Sequence, residues 1–169
     1  MQIRTFIISL LAVCIFVGCG GPPRPAGMPP LFPCEITITQ EGQPLENAFV
    51  QLVPEDGSSG WSIAGHTNAN GVARILTHAQ FPGAPEGTFK VLVSKTEHTL
   101  SSLPPEPADV HSREWEQWYE LAQNERLPKF AIVQPKYDDI RATPHSITIT
   151  QGRNQATFDV GEPVRIEIR

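Results

Sequence analysis

Five histidines, two adjacent aspartates, two close glutamates and three tryptophans are the residues of this 169-residue chain whose types could do chemistry. The histidines are His66, His78, His98, His111 and His145. No two of them stand at i, i+2 in a strand or i, i+4 in a helix, the spacings that turn two imidazoles toward one metal ion. Asp138-Asp139 is an acidic pair, but a calcium loop interleaves several oxygen ligands along a short stretch, and this one does not. Glu114 and Glu116, two apart on a helix, point to different sides and cannot share a proton. No nucleophile elbow, phosphate loop or dinucleotide fingerprint is present. The residues therefore define no catalytic set, no metal site and no cofactor.

The aromatic residues make a different pattern. Trp115, Trp118, Tyr119 and Ala122 fall on one helical face, with Arg113, Glu116, Glu120 and Gln123 largely off it. Such a stripe either packs a helix against a sheet or offers flat rings to a sugar or a protein partner. Trp61 stands apart after a Gly-rich loop, where it could flank the same surface or cap one end of the fold. Trp115, Trp118, Tyr119 and Trp61 together form the candidate binding surface.

The cysteines are Cys14, Cys19 and Cys34. Cys19 follows Arg4, the apolar run Phe6 to Val17, and Gly18; a basic head, a short apolar stretch and a small residue before cysteine are the parts of a lipoprotein export signal. The run is shorter than the roughly 20 residues a membrane-spanning helix needs. Cleavage before Cys14 would put bulky Val13 at the cut, so Cys19 is the expected first residue after a signal over 1–18, its sulfur carrying a diacylglycerol. Each buried methylene contributes about 0.8 kcal/mol, which makes two long chains a stable anchor. Cys34 is then left without a partner in the chain. Because it opens an alternating apolar run, it reads as a small buried hydrophobe.

Removing the signal leaves about 150 residues, enough for one domain with its own core. The net charge of −5 and the absence of a basic patch exclude nucleic acid as a partner. Residues 19–33 are rich in Pro and Gly and almost uncharged, a semi-rigid tether in extended or polyproline conformation. Alternating segments then follow at Cys34–Thr39, Ala48–Val53, Trp61–Thr67, Val72–Leu76 and Thr88–Ser94. Asn68-Ala69-Asn70-Gly71 is a hairpin turn, and Phe81 to Gly87 is a loop. Within an insert over about 97–128, a helix is expected at Val110–Asn124, with Asp109 as its N-cap. Ser146–Thr150, Ala156–Val160 and Val164–Ile168 resume the strand pattern. Short strands between turns with one helical insert predict a single antiparallel β-sandwich over 34–169.

The run Gly42 to Pro54 resembles the first hairpin of carboxypeptidase regulatory-like domains, which are transthyretin-like, Ig-like sandwiches. Gly65 to Ala73 resembles their next hairpin, and Gly87 to Lys95 their long Gly-initiated strand. Domains of this kind occur in small lipoproteins of planctomycete-type bacteria, where a segment like Pro135-Lys136-Tyr137 precedes a final pair of strands. The aromatic insert and the extension past Val164 depart from that pattern. The resemblance implies a fold and no shared catalytic residue. The expectation is a non-enzymatic binding or structural module of the cell envelope, held to a membrane by its lipid and facing periplasm or exterior, with a protein or cell-wall glycan as partner. The competing expectation is a small carbohydrate or peptide hydrolase that brings Asp138, Asp139, Glu114 and His145 together only in three dimensions.

Overall fold

The computed structural model describes residues 23–56, 60–98, 105–123 and 129–168. The signal over 1–18 and Cys19 lie outside the described residues. In chain order the strands are β1 (Leu31–Phe32), β2 (Cys34–Gln40), β3 (Gln43–Pro44), β4 (Phe49–Pro54), β5 (Ile63–His66), β6 (Val72–Arg74), β7 (Leu76–Thr77), β8 (Phe81–Pro82), β9 (Ala84–Pro85), β10 (Gly87–Ser94) and β11 (Thr96–His98). Helix α1 (Arg113–Gln123) follows, then β12 (Lys129–Ala131), a 3-10 turn at Pro135–Tyr137, β13 (Ser146–Ile149), β14 (Asn154–Asp159) and β15 (Ile166–Ile168).

The period-two alternation becomes the two walls of the core. On β2, Cys34, Ile36 and Ile38 are buried while Glu35, Thr37 and Thr39 are half-exposed. On the opposite wall Val50 and Leu52 of β4, Phe89, Val91 and Val93 of β10, and Ile147 and Ile149 of β13 are buried. These side chains join one apolar cluster, because successive residues of a strand point to opposite faces. Each fully buried aliphatic side chain contributes on the order of 1.5–3 kcal/mol. The main sheet runs β13-β10-β4-β5-β7-β8, and the facing sheet runs β14-β2-β3, with β6 also paired to β2. The fold is mainly β and sandwich-like, as the alternation predicts.

Three details differ from the sequence reading. The pair β2–β14 is parallel, from Cys34 opposite Asn154 to Thr39 opposite Asp159, in an otherwise antiparallel arrangement. A Ser146–Val160 hairpin would have put β13 beside β14; instead β13 pairs β10 in one sheet and β14 pairs β2 in the other, so the Gln151–Gly152 turn is a corner between sheets. Likewise Val72–Leu76 is two strands. β6 pairs β2, β7 pairs β5, and the chain changes sheets at the buried Ile75. The turn before it forms as expected: Asn68 Oδ1 accepts from the N–H groups of Asn70 and Val72, and Gly71 adopts φ +72°. A Cβ at Gly71 would lie 2.5 Å from the Ile38 carbonyl oxygen.

The Pro/Gly-rich segment is not uniformly extended. Met28 N–H donates to the Pro25 carbonyl in a turn with Gly27 at φ +82°. Leu31 and Phe32 then pair with Pro85 and Ala84 of β9, while Phe81 and Pro82 of β8 pair with β7, so the expected Phe81–Gly87 loop holds two short strands. Phe32 packs against the core, so apolar contact draws the folded body back past Cys34.

Helix α1 starts one turn later than its sequence suggests. Ser112 Oγ accepts from Trp115 N–H and caps it, while Asp109 Oδ1 accepts from His111 N–H in the preceding turn. β11, β12 and β15 form a small separate sheet; β11 overlaps the start of the expected insert and β12 begins just past its end.

Candidate functional site

The helical stripe is not core. No residue of α1 is buried, and Tyr119 and Leu121 are exposed. Trp115 stacks on Tyr119 one turn along, with ring centroids 4.8 Å apart and planes 14° from parallel. The Trp115 indole Nε1 is enclosed without an acceptor. Trp118 is half-exposed. The face is half-covered without joining the core: Trp115, Trp118 and Ala122 are half-buried, while Glu114, Glu116, Glu120 and the helix's single cation, Arg113, are exposed.

Trp61 belongs to a different place. It is half-buried against the core, with His78 edge-on at 5.0 Å and 90°. A cleft of about 880 Å³ opens beside it, walled by Gly27, Pro29, Pro30 and Phe32 of the Pro-rich segment, by Pro54, Glu55 and Asp56 after β4, and by Pro85, Glu86, Gly87, Thr88 and Phe89 around the start of β10. Gly60, Ile63 and Gln151 complete the lining, and no residue of α1 contributes. Trp61 lines this cleft, and Trp115, Trp118 and Tyr119 do not. Among the described residues the lining holds three carboxylates, Glu55, Asp56 and Glu86, and no Lys, Arg or His. Lys90 approaches from outside the lining, with Nζ 3.6 Å from Glu55.

Phe32, Glu55 and Glu86 were not legible as site residues. Each sits in a segment whose composition reads only as tether or loop. They meet because β1 pairs with β9 and because β4 and β10 are neighbours, with Pro54 opposite Phe89. A lone glutamate between Pro85 and Gly87 was the one local signal available.

The remaining polar candidates serve the fold. His145 lies between the rings of Tyr137 (5.1 Å, 12°) and Phe158 (4.8 Å, 34°), and its Nε2 is 3.1 Å from the Asp159 carbonyl oxygen. Burial lowers its pKa, opposed by the Asp159 backbone bond and the Asp159 charge, with Lys136 adding to the fall. Asp139 Oδ1 accepts from Arg141 N–H, closing a turn. Asp138 is an exposed residue whose carboxyl is pushed up by partial desolvation. Glu114 and Glu116 are exposed on α1. Asp159 accepts from Thr39 Oγ1 at 2.7 Å, from Gly42 N–H at 2.9 Å and from Gly161 N–H at 2.7 Å. Those bonds hold its carboxyl below the usual range, Gly42 first and Thr39 next.

His66 tilts against Phe49 across β4–β5, and His111 is exposed before α1. Among the described residues no three His, Cys, Asp or Glu side chains gather as metal ligands, and no helix is long and apolar enough to cross a membrane. Cys34 is 4% exposed, and burial, with the Glu35 charge second, pushes its thiol up to about 11. A protonated thiol at that value is a poor nucleophile.

No protein-family model matches the chain, and no curated protein matches it. Among solved structures, a 9R-lipoxygenase from Cyanothece PCC8801 aligns over 93% of this chain and 20% of its own, at 14% identity and a TM-score of 0.35. The chain spans about a fifth of that enzyme's length, and a likeness this slight carries no argument.

Proposed function

We propose that this chain is a non-catalytic, lipid-anchored binding module of the cell envelope, moored through Cys19 and facing the periplasm or exterior. The observation that carries the reading is the docking of the Pro-rich segment. Gly27, Pro29, Pro30 and Phe32, a few residues past Cys19, form one wall of the Trp61 cleft, and Leu31 and Phe32 pair with β9. Gly27 lies eight positions past Cys19, a reach of at most about 28 Å in extended chain, so a lipid on Cys19 would hold the cleft close to the bilayer surface. The likeness of Gly42–Pro54, Gly65–Ala73 and Gly87–Lys95 to carboxypeptidase regulatory-like domains supports the same reading.

The non-catalytic part rests on how the reactive groups are used. Asp139 and Asp159 are spent on backbone N–H groups, His145 is stacked between two rings, and Cys34 is buried. The rival reading, a small envelope hydrolase built on Asp138, Asp139, Glu114 and His145, would have to release two of its four members from structural bonds.

Mass spectrometry of the mature N-terminus tests the anchor. The expected product begins at Cys19 and carries a diacylglyceryl group; the native protein partitions into detergent, and Cys19→Ser partitions into water. A protein that keeps Met1 and stays in the aqueous phase overturns the reading. Turnover of a carbohydrate or peptide substrate, abolished by one side-chain change, overturns its non-catalytic part.

A further inference from the structure

Of the five asparagines, Asn70 alone precedes glycine. With no Cβ beside it, the backbone nitrogen of that glycine is an unshielded nucleophile next to the asparagine side chain. In the reaction open to this pair, Gly71 N–H gives its proton to base and the nitrogen bonds to Asn70 Cγ. The Cγ–Nδ2 bond breaks, ammonia leaves, and a five-membered succinimide closes. Water then opens the ring at either carbonyl, giving aspartate or isoaspartate. Nothing is oxidised or reduced.

Asn70 is exposed at the hairpin tip, where water and base reach it, whereas Gly71 is buried. The Gly71 peptide group is fixed from both sides. Its N–H donates to the Asn68 carbonyl at 2.8 Å, and its carbonyl accepts from Ile38 N–H at 2.8 Å. Asn68 Oδ1 also accepts from Asn70 N–H at 2.9 Å and from Val72 N–H at 3.1 Å. Peptide groups move as rigid planes, so turning the Gly71 nitrogen toward Asn70 Cγ pulls it off the Asn68 carbonyl. The strands behind it are close: a Cβ at Gly71 would stand 2.5 Å from the Ile38 carbonyl oxygen and 3.1 Å from the Leu45 nitrogen.

We propose that Asn70 is a self-modification site gated by its own hairpin, inert while the Asn68–Gly71 turn is closed and deamidating when the turn opens. Isoaspartate routes the backbone through the former side chain and adds one atom between residues 70 and 71. Gly71 then no longer reaches Asn68 and Ile38 together, so an opening that reacts is not reversed. The proposal is independent of the anchor and of the binding-module reading.

The test incubates the full chain in nonionic detergent at mildly alkaline pH, folded or in urea. Mass spectrometry follows conversion of the Asn70 amide to a carboxyl, with Asn68, which precedes alanine, as the control in the same digest. The folded chain is expected to react at least about tenfold more slowly than the unfolded one, because only the locally opened fraction is competent. Asn68→Ala removes the acceptor of two N–H groups and is expected to speed the folded reaction about fivefold. In the isoaspartyl fraction Ile38 N–H is expected to lose its protection from hydrogen exchange. Equal rates with and without urea overturn the gate, and an Asn68→Ala rate equal to the native one, with unchanged circular dichroism, removes the turn from it. Conversion of Asn68 as fast as Asn70, or an Asn70 inert even in urea, overturns the site itself. Should Asn68→Ala fail to fold, the native comparison decides alone.

Discussion

Asn154 holds Thr150 at both ends of its amide: Oδ1 accepts from Thr150 N–H at 3.0 Å, and Nδ2 donates to the Thr150 carbonyl at 3.0 Å. The same Nδ2 lies 3.2 Å from the Gly152 carbonyl oxygen and 3.4 Å from that of Pro33, and Asn154 N–H donates to Pro33 as well. One buried side chain therefore shapes the corner where the chain leaves β13 for β14 and ties it to the residue preceding β2. Asn154→Ala leaves several of these groups without partners. It is expected to cost about 1–3 kcal/mol, read as a lower urea midpoint at unchanged slope. A midpoint equal to that of the native protein would show that water replaces the amide.

Thr67 does comparable work at the first hairpin. Its Oγ1 donates to the Leu45 carbonyl at 2.6 Å and accepts from Ala48 N–H at 2.8 Å, all within the core. Thr67→Val keeps the shape and removes both bonds, with an expected loss of about 1–3 kcal/mol. Thr67→Ser retains the hydroxyl and should recover most of it. Equal losses in the two variants would mean that the methyl group, and not the hydroxyl, matters.

Gly83 stands at φ +102°, where an added Cβ would press into the Phe32 carbonyl. Gly83→Ala is expected to part β1 from β9 and free the Pro-rich segment, at a cost on the order of 1–3 kcal/mol. Hydrogen exchange reads this directly, as faster exchange confined to the Leu31–Phe32 region. Unchanged protection there would count against the pairing.

Acid should weaken the fold in two steps of the same sign. His145 has its pKa lowered in the folded state, so the folded chain prefers neutral imidazole and stability declines as pH drops below about 6.5. Asp159 is also held low, so its contribution is present above the ordinary carboxylate value of about 4 and is lost as pH falls through its folded value. Urea midpoints between pH 7 and pH 3 are expected to fall in both ranges. His145→Phe should flatten the upper decline and Asp159→Asn the lower. A midpoint that is level from pH 7 to pH 5 in the native protein would remove the histidine from this account.

Cys34 reverses the direction. Its thiol is raised from 9.0 to about 11, so its contribution to stability is complete below about 9 and is lost as pH rises toward 11. A thiol reagent at pH 8 is expected to label Cys34 only after unfolding. Rapid labelling of the folded protein would sink the buried assignment.

The alternating runs at Cys34–Thr39, Ala48–Val53 and Thr88–Ser94 became β2, β4 and β10 because a period of two is a local property, written in neighbouring side chains and needing no knowledge of the partner strand. The Asn68–Gly71 turn and the burial of Cys34 were legible for the same reason. Which strand lies beside which was not. The parallel β2–β14 pair, the sheet change at Ile75 and the corner at Asn154 depend on groups 120 or so residues apart meeting in space, as Asn154 and Pro33 do.

The candidate site divides along the same line. Sequence alone determined that Trp115, Trp118 and Tyr119 share a helical face, that Trp61 follows a loop, and that Cys19 stands after an apolar run. Only the tertiary structure decided that the helical face is half-buried outside the core, and that Trp61 shares a cleft with Phe32, Glu55 and Glu86. Periodicity assigns a side chain to a face, but burial of that face is set by competition among all the apolar surfaces of the chain. Here the strands filled the core with their own side chains, and the helix was left outside it.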